Sequence, residues 1–323
     1  CMFADGPRNV ESGFTAIMNS LTTAREDREE ETVKKDIIDD RIYDLYDEYC
    51  HGKIDRRQFF ERAAAVTVTG VAMANALLPN YAEAQEVLFT DERIKATWLG
   101  YPSPGGTSGE MYGYLVRPTE GEGPFPAVIV MHENRGLNPY IQDVARRAAV
   151  AGFLALAPDG LAPLGGYPGN DDDGRTMQRS LDQAKLLQDM VNSARFVRNH
   201  ELSTGTLGAT GYCWGGGATN FLATEMGDEL NAGAPFYGAA AKTEKVGDIE
   251  AALLVHYAED DPRVNAMRED FEAALKQHGV DYEMHTYPGT RHGFHNYSTP
   301  RYNPEAAKIA WDRTVAFFHE HLD

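Results

Sequence analysis

The sequence predicts an α/β fold: a mostly parallel central sheet with helices on both faces, preceded by an N-terminal helical arm. Three observations carry that expectation. From about residue 85 onward, short continuous apolar runs alternate with longer amphipathic stretches, the pattern of strands buried on both faces and joined by helical crossovers. The chemically distinctive segments follow directly on such runs, where ligands collect in sheets of this kind. At 323 residues, with 42% hydrophobic and 24% charged side chains, the chain is also long enough to bury a large core.

The elements follow in order. "RIKATWLGYPS" (93–103) and "MYGYLVRPT" (111–119) open the sheet as two strands, and "FPAVIVMHE" (125–133) is a strand buried on both faces. "PYIQDVARRAAVAG" is helical and "FLALAPDG" is the next buried strand. The glycine- and aspartate-rich segment "GLAPLGGYPGNDDDGR" (160–175) is expected as a loop bordering a pocket, and its carboxylates do not follow a calcium-loop pattern. "RSLDQAKLLQDMVNSARFVRNH" predicts a long amphipathic helix. "TLGATGYC" predicts a strand that runs straight into "WGGGATNFLATEMG", a helix. "NAGAPFYG" and "AALLVHYAEDD" are further strands. "VNAMREDFEAALKQHG" is helical, with Val264, Met267, Phe271, Ala274 and Leu275 on one stripe. "YEMHTYPG" is the last strand and "AAKIAWDRTVAFFHEHL" the closing helix.

Residues 1–84 form a separate region, and 85–323 form the main domain. Within the charge-rich start, Ile37, Ile38, Ile42, Leu45 and Tyr46 fall at helical spacing. Arg56-Arg57, then Phe59-Phe60, an uncharged run from Ala63 to Leu78, and Ala82-Glu83-Ala84 resemble a twin-arginine export signal cleaved before Gln85. That pattern favours export to a periplasm. The alternative is a cytoplasmic protein whose helical arm packs on the main domain and offers a route to a homo-oligomer. The uncharged run is too short and too rich in alanine to predict a stable membrane span.

A net charge of −19, with no basic patch, argues against nucleic acid and anionic membranes as partners. The three cysteines, Cys1, Cys50 and Cys213, are neither a disulfide framework nor a zinc set, and no metal or other cofactor is expected.

The chemistry gathers at three strand ends. The first delivers Cys213 in "GYCWG", a G-x-C-x-G turn between a strand and a helix. A nucleophile on such a strained turn needs glycines on either side, because side chains there would collide with the neighbouring strand and helix. The turn also sets a thiol at a helix N-terminus, where N–H groups and the dipole favour the thiolate. The second strand end delivers Glu259-Asp260-Asp261, and the third delivers His292 in "YPGTRHGFHN". The order of nucleophile, acid and histidine predicts that His292 acts as base and then acid, with a carboxylate orienting it. Asp261, just before Pro262, is the expected carboxylate and Asp260 the alternative.

"HENRGLN" (132–138), "GYCWGG" (211–216), "HYAEDDPRVN" (256–265) and "YPGTRHGFHN" (287–296) resemble the motifs of the dienelactone hydrolases, over about residues 90–320. The resemblance implies an α/β-hydrolase fold, a Cys213–Asp261–His292 triad, and cysteine-dependent cleavage of a small-molecule ester or lactone through an acyl-enzyme. It gives Glu133 the task of holding the resting thiol and helping to take its proton, in place of a plain salt bridge to Arg135 or Arg147. It pairs the backbone N–H groups of Asn134 and Trp214 as the oxyanion hole. One position departs from the family pattern. The arginine that clasps a substrate carboxylate four residues after the catalytic histidine is replaced by Asn296, and Arg301 is expected to supply a substitute cation, while Arg175 and Arg179, before the long helix, are the candidates for a second clamp arginine. A non-catalytic ligand-binding protein and a redox-sensing thiol protein on the same fold are the alternative readings.

Overall fold

The structure, a computed structural model, describes residues 39–50, 52–67, 73–74, 78 and 85–323. Contacts divide the chain into two units, Cys1–Leu78 and Pro79–Asp323.

In the first unit two helices are described, α1 (Asp40–Cys50) and α2 (Arg56–Val66). Both bury aromatic faces: Ile42, Tyr46 and Phe59 are fully buried, and Phe59 stacks on Tyr49 with ring centroids 5.1 Å apart. Helix α2 starts where it does because Asp55 caps it. Its side chain accepts from the Gln58 N–H at 2.8 Å, and the Gln58 side chain accepts from the Asp55 N–H at 3.0 Å, a reciprocal arrangement that satisfies two helix-end donors. Arg56 and Arg57 therefore occupy the first turn of a capped helix, with Phe59 in the core of its own unit. Ile37, Ile38 and the expected cleavage segment at Ala82-Glu83-Ala84 lie outside the described residues.

The second unit is an eight-stranded sheet. Its strands are β1 (Ile94–Ser103), β2 (Gly109–Pro118), β3 (Phe125–Met131), β4 (Leu154–Pro158), β5 (Ser203–Tyr212), β6 (Ala232–Phe236), β7 (Ala252–Asp260) and β8 (Tyr282–Arg291). The spatial order is β1-β2-β4-β3-β5-β6-β7-β8. β1 and β2 form an antiparallel hairpin and β2 runs antiparallel to β4, while every pairing from β4 onward is parallel. The connecting helices are α3 (Pro139–Val150), α4 (Asp171–Ser180), α5 (Gln183–Arg198), α6 (Trp214–Glu225), the short α7 (Pro262–Asn265) and α8 (Arg268–His278), and α9 (Pro304–Leu322) follows the last strand. Two apolar clusters lie on opposite faces of the sheet, because alternate residues of one strand enter each: Val128 and Val130 on one side, Ala127, Ile129 and Met131 on the other.

Three expectations are corrected. Residues 160–175 are not all loop, since α4 begins at Asp171. Asn170 caps it by accepting from the Asp173 N–H at 2.9 Å, and three aspartates in its first turn face the positive end of the helix dipole. The long helix begins at Gln183, after the Asp182 cap, so Arg179 belongs to α4. Likewise the stretch from Val264 to Gly279 breaks into α7 and α8 around Ala266 and Met267. Among the described residues no helix is long and apolar enough to cross a membrane.

Candidate active site

The site is assembled at the carboxyl ends of β3, β5, β7 and β8. β4 lies on one side of β3 and β5 on the other, so chain progression reverses there, the kind of place where α/β sheets open a crevice. The two strand ends at this crevice are in register, Met131 opposite Gly211, which brings the Glu133 and Cys213 segments side by side.

Cys213 follows β5 directly and takes φ +57°, ψ −111°, a region an L-residue enters only under constraint. Its N–H donates to the Phe236 carbonyl at 3.1 Å and its carbonyl accepts from the Gly217 N–H at 3.1 Å. The surrounding glycines are demanded by backbone, not by side chains. A Cβ on Gly211 would lie 2.2 Å from the Gly215 carbonyl oxygen, one on Gly215 2.4 Å from the Met131 oxygen, and one on Gly216 2.5 Å from the Phe236 oxygen. On Gly238 a Cβ would reach the Gly216 backbone at 2.2 Å. Gly217 differs: its nearest neighbours would be at 3.5 Å, ordinary contact.

Of the three adjacent carboxylates, each has its own partner. Asp261 is buried, and its Oδ2 lies 2.5 Å from His292 Nδ1. Its Oδ1 accepts from the Val264 N–H at 3.2 Å, with Pro262 at the first position of α7, so the start of that helix fixes the carboxylate. Asp260 turns outward to Arg291 at 3.1 Å, and Glu259 accepts from the Gly289 N–H at 2.8 Å. Cys213 lies close enough for its charge to act on the His292 imidazole. Burial by itself would lower the imidazole's pKa, but the charges of Cys213 and Asp261 and the Asp261 hydrogen bond outweigh it and hold the imidazole at about 9. Asp261 answers in the opposite sense: burial would raise it, and the His292 charge and hydrogen bond bring it below the usual carboxylate range. The imidazole also lies against the Tyr237 ring, with centroids 5.0 Å apart.

Glu133, two residues past β3, is 1% exposed. Burial pushes its carboxyl upward, opposed by Arg135 and reinforced by the nearby Cys213. The neighbouring His132 has Nε2 accepting from the Gly160 N–H at 3.0 Å, so its Nδ1 carries the proton and donates to the Glu133 carbonyl at 2.6 Å. The His132 ring stacks on Trp214, centroids 5.4 Å apart, tying the Glu133 turn to the first residue of α6.

Sequence reasoning missed how Glu133 is held. Asn296 donates from Nδ2 to Glu133 Oε2 at 3.0 Å. Arg135, fully enclosed at 2% exposure, sets Nε 3.4 Å from the same oxygen and Nη1 2.8 Å from Asp171 Oδ2. Asp171 accepts in turn from the Tyr167 hydroxyl at 2.9 Å, and α4 packs so closely that a Cβ on Gly174 would lie 2.3 Å from the Arg135 carbonyl oxygen. The only hint in the sequence is an arginine two residues after Glu133 together with an aspartate run near a helix start. Arg147 lies elsewhere, on Glu86 at 3.2 Å and over the Trp311 ring. Of the arginines expected near substrate, Arg175 is buried and pairs with Asp172. Arg301 is buried too, its guanidinium packed where a Cβ on Gly293 would meet it at 3.1 Å and its charge acting on Glu133. Among the described residues, no group of three or more His, Cys, Asp or Glu side chains is placed to hold a metal ion.

With this geometry described, likeness to known proteins adds to it. The dienelactone hydrolase family matches residues 111–322, and a second family, described as YqhI-like, matches residues 30–67. A Bradyrhizobium sp protein named as a probable 2-oxo-3-(5-oxofuran-2-ylidene)propanoate lactonase is 32% identical over 246 residues, covering 72% of this chain and 96% of its own length. "Protein usf" of Aquifex pyrophilus is 33% identical over 225 residues, covering 65% of this chain and 93% of its own. A crystal structure assigned to the dienelactone hydrolases, from Klebsiella pneumoniae subsp. pneumoniae MGH 78578, superposes with TM-score 0.61 at 27% identity, covering 71% of this chain and 99% of that one.

Proposed function

Since the chain belongs to the dienelactone hydrolase family and is an ester or lactone hydrolase, we propose that Cys213 is its nucleophile and that the reaction passes through an acyl-enzyme. The observation that carries this reading is the hydrogen bond from His292 to the buried Asp261 beside a cysteine whose charge acts on the same imidazole, with that cysteine on a positive-φ turn at the start of α6. The Sγ attacks the substrate carbonyl carbon and forms the S–C bond. The oxyanion that results is met by the N–H groups of Trp214 and Asn134, donors of a kind worth about 3 kcal/mol each to a transition state. As the intermediate collapses, the C–O bond breaks and His292 gives its proton to the departing oxygen; in a lactone that oxygen stays tethered. Water then attacks the thioester, its proton passes to His292, and the acid is released with the thiol restored. Asp261 keeps the imidazole in the orientation and tautomer both steps need. Glu133, its pKa raised by burial, is suited to hold and take the thiol proton while substrate enters. The catalytic domain is taken as residues 85–323, with 1–84 as an N-terminal extension or signal region ahead of it.

Hydrolysis of 4-nitrophenyl acetate and of a dienelactone tests the reading. Cys213→Ala is expected to lose at least about 10⁴-fold in kcat, and acetylated Cys213 is expected in the intact mass of the wild type trapped early in turnover. Undiminished turnover by Cys213→Ala would sink the cysteine mechanism. Reversible peroxide-dependent loss of the Cys213 thiol, without ester turnover, would favour the redox alternative.

A further inference from the structure

The structure assigns Asn296 a task in this site: we propose that it is the positioning residue that fixes Glu133, and that as a result the enzyme takes substrates whose acyl part is uncharged. The inference rests on the cysteine-hydrolase reading above and deepens it.

The Asn296 amide cannot swing freely. Its Oδ1 accepts from both the Ser298 N–H at 3.0 Å and the Ser298 hydroxyl at 2.6 Å, which determines which end of the amide is oxygen. The Nδ2 is thereby aimed at Glu133 Oε2, 3.0 Å away. Its backbone is pinned as well, by an N–H donated to the Gly293 carbonyl at 2.9 Å and by the Thr299 N–H on its own carbonyl at 3.2 Å. Gly293, at φ +86°, is the residue after His292, so one tight turn presents both the imidazole and the amide. Both Asn296 and Glu133 are 1% exposed. With Asn296 and Arg135 on Oε2, that oxygen has a fixed role and the other is the one left for the thiol proton. A neutral donor orients a carboxylate while stabilising its charge less than a cation would, in keeping with a Glu133 whose pKa burial has raised.

The charge around this point is matched internally. Arg135 faces Glu133 and Asp171, Arg175 faces Asp172, and the Arg301 charge acts on Glu133. A carboxylate on the acyl group would enter beside Glu133 against cations already facing carboxylates, and buried like charges are costly.

Two esters with one leaving group test this: 4-nitrophenyl acetate and the mono-4-nitrophenyl ester of succinic acid. The full-length wild type is expected to favour the acetate by at least about tenfold in kcat/KM, and Asn296→Arg to cut that preference by at least about tenfold. Asn296→Leu, of similar size but without a donor, is expected to lower kcat on the acetate by about a hundredfold with KM little changed, the scale of a misplaced catalytic group. It is also expected to move the acid limb of the pH profile upward, because Glu133 loses a donor that favours its charged form. Ser298→Ala, which frees the amide without touching Glu133, should shift that limb the same way by less, and stands in if Asn296→Leu does not fold. The pH profile is read both in turnover and in alkylation of Cys213 by iodoacetamide. Equal or faster hydrolysis of the succinate ester by the wild type, or an unmoved acid limb in both variants, overturns the proposal. Absence of any Cys213-dependent ester turnover instead overturns the hydrolase reading, and the alkylation profile still decides the role of Asn296.

Discussion

The two flanks of Cys213 are built by different means. On the elbow side the thiol is placed by backbone packed on backbone: Gly211 on Gly215, Gly215 on Met131, Gly216 on Phe236 and Gly238. On the other side it is placed by buried polar side chains from separate segments, Asp261 on His292 and Asn296 with Arg135 on Glu133. The first kind of contact admits one residue type at each position and is indifferent to distant sequence. The second admits many residue types but requires each partner to be present. A fault on the elbow side should therefore be steric and local, and a fault on the polar side should be electrostatic and shared among partners.

The largest effect is expected on the polar side. Asp261→Asn should lower kcat by about 10⁴-fold, as loss of the orienting carboxylate does in such triads, whereas Asp260→Asn, at the surface on Arg291, should change it by less than about threefold. Comparable losses from both would mean that the outward carboxylate also reaches the imidazole. The same pair of variants has a pH signature. Because His292 is held at about 9, above its unfolded value of about 6.5, its protonation stabilises the fold fully below pH 6.5, and that stability is lost as pH rises through 9. Wild-type denaturation midpoints should fall across this window. Asp261→Asn should flatten the fall, and an equally steep fall in that variant would assign it to another group.

Next comes Arg135→Met, which leaves Glu133 and Asp171 facing each other without the cation between them. Removing one member of a buried charge set costs about 3–5 kcal/mol, on the order of 10 °C in Tm for a unit of this size. Double substitution with Asp171→Asn should recover part of the loss, since it removes one of the stranded charges. Strict additivity of the two changes would mean that Arg135 and Asp171 do not act as a pair.

These two flanks also differ in how far the sequence discloses them. The turn at Cys213 was legible because steric exclusion leaves a residue-type signature, glycine, at fixed offsets from the thiol. The strands were legible because burial on both faces leaves apolar runs. The triad acid could be narrowed only to Asp260 or Asp261, since one step along the chain decides whether a carboxylate faces inward or outward, and the geometry of the α7 start makes that choice. Helix α4 was hidden by the glycines and aspartates of 160–175, which suit a loop as well as a capped first turn; Gly174 is there for its fit against Arg135. The Glu133–Asn296 contact joins residues 163 positions apart, and no local pattern records it.

On the elbow side, Gly215→Ala sets a methyl 2.4 Å from the Met131 carbonyl oxygen and 2.6 Å from that of His132. Both neighbours are backbone at the crevice, so α6 must shift away from β3. Overpacking of this sort costs about 1–3 kcal/mol. The accompanying displacement of Cys213 from His292, if on the order of 1 Å, should lower kcat by about a hundredfold. Wild-type activity in a stable Gly215→Ala protein would show that the elbow tolerates more movement than its contacts imply.

Gly217→Ala is the smallest change and separates the two explanations for a glycine-rich motif. This residue lies in α6, and its added methyl would find Ala239 at 3.5 Å, an ordinary contact. Nothing steric calls for glycine here, and alanine in a helix interior is favoured over glycine by up to about 1 kcal/mol. The variant should therefore keep wild-type kcat/KM and unfold at equal or slightly higher denaturant concentration. A loss of activity without a loss of stability would mean that the third glycine serves motion of the helix start during turnover, and the division of the elbow into backbone-cleared and tolerant positions would have to be redrawn.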